Sequence, residues 1–134
     1  MTDLELMKLA VEAREMAYAP YSHFRVGAAL LAKSGKVYKG CNVENAAYSP
    51  TNCAERTALF KAVSEGEREF TAIAIVGGMD ETIADFCAPC GVCRQVLAEF
   101  CDKDFRLILG NPDNVKACSF EEILPFAFGK GDLE

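Results

Sequence analysis

The chain has 134 residues, of which 51% are hydrophobic, enough for one domain of common size with its own core. Its formal charge is −6 and it lacks the basic stripe of a nucleic-acid-binding protein, which argues against free DNA or RNA as a partner. Its apolar runs are far shorter than the roughly 20 residues of a membrane helix. Its first residues are acidic where a signal peptide would be basic, so no membrane or export segment is expected.

The number of cysteines indicates whether the protein works in an oxidising or a reducing environment. There are seven, and an odd number without an export signal argues against a disulfide framework. The sequence therefore predicts a cytoplasmic protein with reduced thiols that are free to bind metal. Cys41, Cys101 and Cys118 are expected to be small buried hydrophobic residues.

The first part of the chain predicts one helix and two strands. Thr2 and Glu5 have the spacing of a capping box, which predicts a helix beginning there, and Pro20 is expected to stop it. Residues 26–32 are apolar on both alternating faces, which predicts a strand buried on both sides. After a short turn, residues 36–43 are predicted to return as a second, antiparallel strand.

The remaining elements alternate between helices and strands. Asn52 is predicted to cap a helix that ends near Gly66. A strand, a helix opening at the second cysteine cluster, two further strands and a short helix capped by Ser119 and Glu122 follow; the strands are predicted at 71–76, 105–109 and 115–118. The crossover between the third and fourth strands must be parallel. The predicted fold class is therefore α/β, a five-stranded mixed sheet in a three-layer α-β-α arrangement.

Two short stretches carry the candidate chemistry, Cys53-Ala54-Glu55-Arg56 and Pro89-Cys90-Gly91-Val92-Cys93. Cys90 and Cys93 share one side of the first turn of a predicted helix, where free N–H groups favour thiolates. With Cys53 they offer three ligands, the number in a catalytic zinc site whose fourth position holds water. A CxxC pair alone could be redox-active, but a second thiol at its own helix start favours metal.

Two alternatives stay open at this point. A closed site formed by Cys53, Cys87, Cys90 and Cys93 would make the protein a structural zinc module and not an enzyme. Glu55 could act as a general base beside the metal, or it could pair with Asn52 as a helix cap. The local pattern favours neither reading of Glu55.

Charge and sugar recognition raise two further candidates. Three thiolates around Zn²⁺ leave a negative centre, which opposes ionisation of a bound water. Arg56, and less clearly Arg94, could offset this by donating hydrogen bonds to sulfur, or could simply be solvated.

Asn42 and Glu44 share one side of a strand end and could hold sugar hydroxyls. Loop capping by Asn42 and a solvated Glu44 is the alternative.

The motifs resemble a known family. A glutamate two residues after the first cysteine, with a later Pro-Cys-x-x-Cys, is the signature of zinc deaminases. Four longer motifs are similar to the small homotetrameric cytidine deaminases: Tyr18-Ala19-Pro20-Tyr21-Ser22, Phe24-Arg25-Val26-Gly27-Ala28-Ala29, Gly40-Cys41-Asn42-Val43-Glu44-Asn45-Ala46-Ala47-Tyr48 and Pro89-Cys90-Gly91-Val92-Cys93-Arg94-Gln95. The similarity runs from the first helix to Leu124-Pro125.

This resemblance implies one zinc-dependent deaminase domain over residues 1–134. It implies hydrolysis of cytidine and 2′-deoxycytidine to uridine and 2′-deoxyuridine with release of ammonia, in pyrimidine salvage. Zinc-bound hydroxide would attack C4, and Glu55 would shuttle the protons. One zinc per chain would be held by Cys53, Cys90 and Cys93, with Arg56 neutralising the thiolates.

The resemblance also implies the substrate contacts, which are Phe24, Asn42, Glu44, Ala46, Tyr48, Ala54 and Phe128. Phe128 would stack on the pyrimidine from a neighbouring subunit of a homotetramer, so that active sites are shared between subunits; Phe126 is the less suitable alternative. Cys87 and the acidic loop at 77–88 depart from the family pattern. Another amine, such as a nucleoside antibiotic or a base in a polynucleotide, is the competing substrate class.

Overall fold

The structure is a computed structural model that describes residues 1–134. Its helices are α1 (Asp3–Arg14), α2 (Ala54–Ser64), α3 (Gly91–Phe100) and α4 (Phe120–Ile123), with a short 3₁₀ helix at Lys130–Asp132. Its strands are β1 (Phe24–Ala32), β2 (Val37–Cys41), β3 (Phe70–Met79), β4 (Arg106–Asn111) and β5 (Asn114–Ser119). No helix has both the length and the apolar composition needed to cross a lipid bilayer.

The five strands form one mixed sheet in the order β2-β1-β3-β4-β5. β1 pairs antiparallel with β2 and β3, β4 pairs antiparallel with β5, and β3 and β4 form the parallel pair. The parallel pair follows from the helical crossover, because a chain that leaves and re-enters a sheet through a helix keeps its direction. The predicted mixed α/β sheet is confirmed.

Helices cover both faces of the sheet. Successive residues of β3 point to opposite faces, and its buried side chains accordingly divide between two clusters. One cluster joins Ile73 and Ile75 to α2 and α3, and the other joins Ala74 and Val76 to α1. The predicted three-layer arrangement is confirmed, and it leaves the N-termini of α2 and α3 on the same face.

α1 ends earlier than predicted. Its capping box of Thr2 and Glu5 forms as expected, but the helix ends at Arg14 and not at Pro20. The cause is a tertiary contact of Tyr18, whose N–H donates to the Asn42 carbonyl at 3.0 Å and whose carbonyl accepts from the Glu44 N–H at 2.9 Å. This pairing draws the chain out of helical geometry before the proline.

The cap of α2 also differs from the prediction. Cys53 occupies the N-cap position, with extended backbone angles and no side-chain cap bond. Asn52 instead pairs its backbone with Val43 at 2.9 and 3.0 Å, and its side chain donates to the Thr57 hydroxyl at 3.1 Å. The prediction of Asn52 as the cap is wrong, because the antiparallel bridge to Val43 sets where the helix begins.

A buried arginine fixes the end of β3. Arg14 is 5% exposed, and its guanidinium donates to four backbone carbonyls, those of Arg25, Gly78, Asp80 and Thr82, at 2.6 to 3.0 Å. β3 therefore continues to Met79, so residues 77–79 belong to a strand and not to the predicted loop. The loop that leads to Cys87 starts from this anchored point.

Candidate metal centre and adjoining cavity

Two helix N-termini bring three sulfur atoms together. Cys53 is the N-cap of α2, Cys90 is the N-cap of α3, and Cys93 lies in the first turn of α3. The Sγ atoms of Cys53 and Cys90 are 3.7 Å apart, and all three Sγ atoms lie within 4.8 Å of one another. Cys90 and Cys93 are held by local helix geometry, whereas Cys53 arrives through the packing of α2 on the sheet.

The spacing suits a tetrahedral zinc ion. A zinc–sulfur distance of about 2.3 Å in tetrahedral geometry places two ligand sulfurs about 3.8 Å apart. The 3.7 Å separation of Cys53 and Cys90 matches this value. Cys87 lies outside the group of three, so the alternative of a closed four-cysteine site has no support in the structure.

Arg56 contacts the metal-ligating group directly. Its Nη2 atom donates to the Sγ of Cys53 at 3.2 Å, and its Nε atom is buried without a hydrogen-bond partner. Hydrogen bonds from Cys93 and Arg56 lower the pKa of the Cys53 thiol to about 5, against the effect of burial. Cys53 is therefore prepared to be the thiolate that a metal requires.

Arg94 does not contact the sulfur atoms, contrary to the weaker of the two arginine predictions. Its Nε donates to the carbonyl of Pro89 at 2.8 Å and its Nη1 donates to the carbonyl of Ile123 at 2.6 Å. Arg94 thus ties the turn before Cys90 to the end of α4.

Glu55 is buried beside the three thiols. Its side chain is 4% exposed and lines the same cavity as Cys53 and Cys90. Burial raises the pKa of Glu55 to about 7, and the neighbouring Cys53 thiolate adds to the rise. The reciprocal capping pair with Asn52 does not form, since Cys53 and not Asn52 occupies the N-cap. The Glu55 carboxyl therefore lies on the cavity wall beside the thiols and does not cap the helix together with Asn52.

The cavity beside the thiols has a volume of about 270 Å³. Of the predicted site residues, those that line it are Phe24, Asn42, Glu44, Cys53, Ala54, Glu55 and Cys90. A larger cavity of about 500 Å³ opens at the opposite end of β3, where charged side chains such as Lys33 and Arg68 line it and no thiol is present. The thiol cluster identifies the smaller one as the candidate site.

Asn42 and Glu44 are both held rigidly at the cavity wall. The Asn42 amide accepts from the Val26 N–H at 2.9 Å and donates to the Phe24 carbonyl at 2.8 Å, leaving one N–H and one lone pair free. Glu44 accepts from the backbone N–H of Tyr21 and from the N–H and hydroxyl of Ser22. These bonds, that from the Ser22 hydroxyl first, hold the pKa of Glu44 below its usual range.

Three predicted substrate contacts lie outside the cavity. Ala46 is exposed, and Tyr48 is 72% exposed with its ring 6.2 Å from that of Tyr21, beside a neighbouring cavity. Phe128 is 59% exposed, and its carbonyl accepts from the Gln95 side chain at 2.8 Å. Phe126 is fully exposed. One chain alone does not bring these residues to the thiols.

Some cavity residues were not predicted as site residues, although Ser22 and Val26 lie within motifs that resemble the family. Ser22, Val26 and Thr51 line the cavity, and the hydroxyl of Ser22 orients Glu44. A serine within a loop and a valine within an apolar strand look the same whether or not they face a ligand. Cys87, which the sequence left unexplained, also lines this cavity.

Comparison with known proteins decides the family. The family described as "Cytidine and deoxycytidylate deaminase zinc-binding region" matches residues 1–109. This chain belongs to the cytidine deaminase family. Its family is one of zinc-dependent hydrolases, and the cluster of Cys53, Cys90 and Cys93 can hold the zinc ion.

Individual cytidine deaminases are similar along nearly the whole chain. The cytidine deaminase of Halalkalibacterium halodurans is 52% identical over 129 residues, covering 96% of this chain and 95% of that protein. The cytidine deaminase of Sporosarcina psychrophila is 51% identical, covering 97% and 96%. The crystal structure of cytidine deaminase from Burkholderia pseudomallei has a TM-score of 0.87 at 50% identity and covers 96% of this chain and 100% of that one.

Proposed function

We propose that this protein hydrolyses cytidine and 2′-deoxycytidine to uridine and 2′-deoxyuridine, releasing ammonia. The observation that carries the proposal is the buried Glu55 carboxyl beside three sulfur atoms that lie within 4.8 Å of one another, on a cavity of about 270 Å³. Relatives about 50% identical over nearly the whole chain are named cytidine deaminases, which supports the same activity here.

The proton transfers fall to Glu55. Cys53, Cys90 and Cys93 would hold the zinc ion, which when bound would supply activation of a water molecule as the nucleophile. Glu55 would take the proton of the attacking water and deliver it to N3 of the pyrimidine, and it would then move the proton of the new C4 hydroxyl to the amine, which leaves C4 as ammonia. A pKa of about 7 suits a group that must both accept and give a proton near neutrality.

The remaining cavity residues orient the nucleoside. The free N–H and lone pair of Asn42 and the ionised Glu44 suit ribose hydroxyls, because both side chains are already fixed by the protein. Phe24 provides an apolar wall, and the N–H of Ala54, in the first turn of α2, is free to meet the base. Arg56 offsets the negative charge of the thiolates.

The test combines metal analysis with turnover. Purified protein should contain one zinc per chain, and adding cytidine should lower the ultraviolet absorbance as uridine forms. Glu55→Ala and Glu55→Gln should retain zinc and lose at least the 10²–10⁴-fold that general acid–base catalysis contributes. Glu65→Gln, exposed at the end of the same helix, is the matched control. A Glu55→Ala protein with near wild-type turnover would overturn the proposal.

A further variant separates the enzyme from a structural zinc module. Cys87→Ala should retain zinc and fold, since only three sulfurs converge. Loss of zinc and of the fold in this variant would instead indicate that Cys87 is a ligand. Turnover of cytidine, 2′-deoxycytidine and single-stranded DNA, measured side by side, checks the substrate class.

We also propose a homotetramer in which Phe128 and Tyr48, with Ala46, reach the cavity of a neighbouring subunit. Their exposed positions away from their own cavity support this. Phe128→Ala should weaken substrate binding, since base–aromatic stacking contributes about 1–3 kcal/mol. Co-assembly with an excess of Glu55→Ala chains should restore the KM, because most intact Glu55 residues then face a neighbour that carries Phe128. A fully active monomer would contradict the arrangement.

The wider setting stays a prediction. Production of uridine and ammonia from cytidine fits pyrimidine salvage, and seven free thiols fit a reducing cytoplasm. Residues 1–134 are proposed to act as one deaminase domain. Zinc content per chain tests the proposed single deaminase domain, and sedimentation of the purified protein measures its oligomeric state.

A further inference from the structure

Gly77 of β3 leaves a notch in the wall of the candidate site. A Cβ atom at Gly77 would lie 2.8 Å from the Sγ of Cys87, 3.0 Å from Cε1 of Phe24 and 3.2 Å from Cγ2 of Val26. The ends of these three side chains therefore fill the space that a side chain at Gly77 would need. All three line the cavity that also contains Cys53 and Glu55.

This wall is apolar and faces the buried polar groups. Burial raises the pKa of the Cys87 thiol to about 11, and the negative charges of Glu55 and Cys53 are near enough to add to the rise. Cys87 is thus a neutral thiol at neutral pH and behaves as a small hydrophobic group. Its position depends on Gly77, because a Cβ atom there would lie only 2.8 Å from the sulfur and one of the two would have to move.

The chemistry of the pyrimidine decides which edge meets this wall. O2, N3 and the C4 amine form the polar edge, whereas C5 and C6 carry only hydrogen. The proposed reaction puts C4 beside the three cysteines and N3 beside Glu55. C5 is bonded to C4 on the side away from N3, so it is left facing apolar side chains.

We infer that Cys87, seated in the notch of Gly77, limits the size of the substituent accepted at C5 of the pyrimidine. This inference rests on the proposed deaminase activity and adds a specificity-determining residue to it. Adding or removing one methyl-sized group in an apolar pocket changes discrimination by about 10–200-fold. Discrimination of that order is expected here.

Substitutions at Cys87 and Gly77 should have opposite effects on one ratio. This ratio is kcat/KM for 5-methylcytidine divided by kcat/KM for cytidine. Cys87→Ala removes the sulfur and should raise the ratio about tenfold, whereas Gly77→Ala pushes the sulfur inward and should lower it about tenfold. Cys87→Ser, whose oxygen is smaller than sulfur and held on a shorter bond, should raise the ratio in the same direction as Cys87→Ala. Cys118→Ala, on the edge strand β5, is the distant control.

Combining the substitutions tests the contact itself. In the Gly77→Ala/Cys87→Ala protein the new methyl group occupies space vacated by sulfur, so the ratio should return toward the wild-type value. If Gly77→Ala fails to fold, the wild-type protein still tests the inference. Its kcat/KM should fall in the order hydrogen, methyl, ethyl at C5, a series in which size grows while the electronic effect of the substituent changes little.

The outcomes separate this inference from the proposed function. A ratio unchanged in Cys87→Ala, or a wild-type protein indifferent to substituent size while it turns over cytidine, would overturn the inference alone. A zinc-loaded wild-type protein that does not deaminate cytidine would overturn the proposed function, and the inference with it. Opposite shifts in the two single variants, with reversal in the double variant, would support it.

Discussion

The Nη2 atom of Arg56 lies 3.2 Å from the Sγ of Cys53, three residues earlier at the start of the same helix. Residues three apart on a helix share one face, so local geometry alone directs the guanidinium at the sulfur. The hydrogen bond to Cys53 raises the pKa of Arg56 further, which keeps it charged. Its positive charge opposes the negative charge that three thiolates place on a zinc centre.

Arg56→Gln should weaken zinc binding. Groups that contact metal ligands from outside usually contribute about 10–100-fold to metal affinity, and a loss in this range is expected. Arg56→Lys keeps the charge but not the planar fork, so its loss should be smaller. Competition with a chromophoric chelator measures the affinity directly.

Arg106→Gln is the control for this substitution, because Arg106 pairs with Asp3 on the surface, remote from the thiols. Its zinc affinity should equal that of the wild type. Equal zinc affinity in Arg56→Gln and wild type would show that the observed hydrogen bond does not stabilise the metal site.

Arg94 should act on the metal site through the backbone. Its hydrogen bond to the Pro89 carbonyl, at 2.8 Å, holds the turn that presents Cys90, and its bond to Ile123 holds the end of α4. Arg94→Met should therefore speed zinc release to a chelator about tenfold and expose the C-terminal segment to proteases. Gln95→Ala, which loses only the bond to Phe128, should free that segment while zinc release stays slow. Equal zinc release in the two variants would contradict the assignment.

Local spacing explains which parts of the site could be predicted. Cys90 and Cys93 share a helical turn, and Arg56 lies one turn from Cys53, so each pair was visible as a short-range pattern. The sheet followed from apolar periodicity and from the helical crossover. The end of α1 and the cap of α2 were missed, because Tyr18 and Asn52 pair with a strand end that only the fold brings near.

Arginines that bind backbone carbonyls left no pattern at all. The sequence left Arg94 open between sulfur and solvent, yet its partners are the carbonyls of Pro89 and Ile123. Arg14 carried no prediction from the sequence, and it is 5% exposed. Backbone carbonyls are present at every residue, so nothing in the sequence identifies the ones that such a side chain will reach.

Arg14→Met should destabilise the fold strongly. Four backbone carbonyls would lose the guanidinium as a hydrogen-bond donor. A buried acceptor left without a donor costs about 1–3 kcal/mol. We expect a loss of about 3 kcal/mol or more in the free energy of unfolding by urea, at fixed protein and zinc concentrations. Lys8→Met, exposed on the same helix, should change it little. A small loss in Arg14→Met would show that water replaces the guanidinium.

The contribution of Glu44 to the free energy of unfolding should depend on pH with a definite sign. Hydrogen bonds from Ser22 and Tyr21 lower the pKa of Glu44 in the folded protein below its ordinary value of 4.5. The ionised carboxylate therefore stabilises the folded state fully above pH 4.5, and this contribution is lost as the pH falls through the lowered folded pKa.

Glu44→Gln isolates this contribution. The difference in unfolding free energy between wild type and Glu44→Gln should be constant at neutral pH and shrink on acidification below 4.5, because protonation removes the advantage of the carboxylate. Both proteins carry the same thiol cluster, so acid release of zinc affects them alike and cancels in the difference. Glu121→Gln on α4 serves as the control and should show no such change. A difference that grows as the pH falls would mean that Glu44 prefers its protonated form when folded, and so could not hold a sugar hydroxyl as a fixed anion.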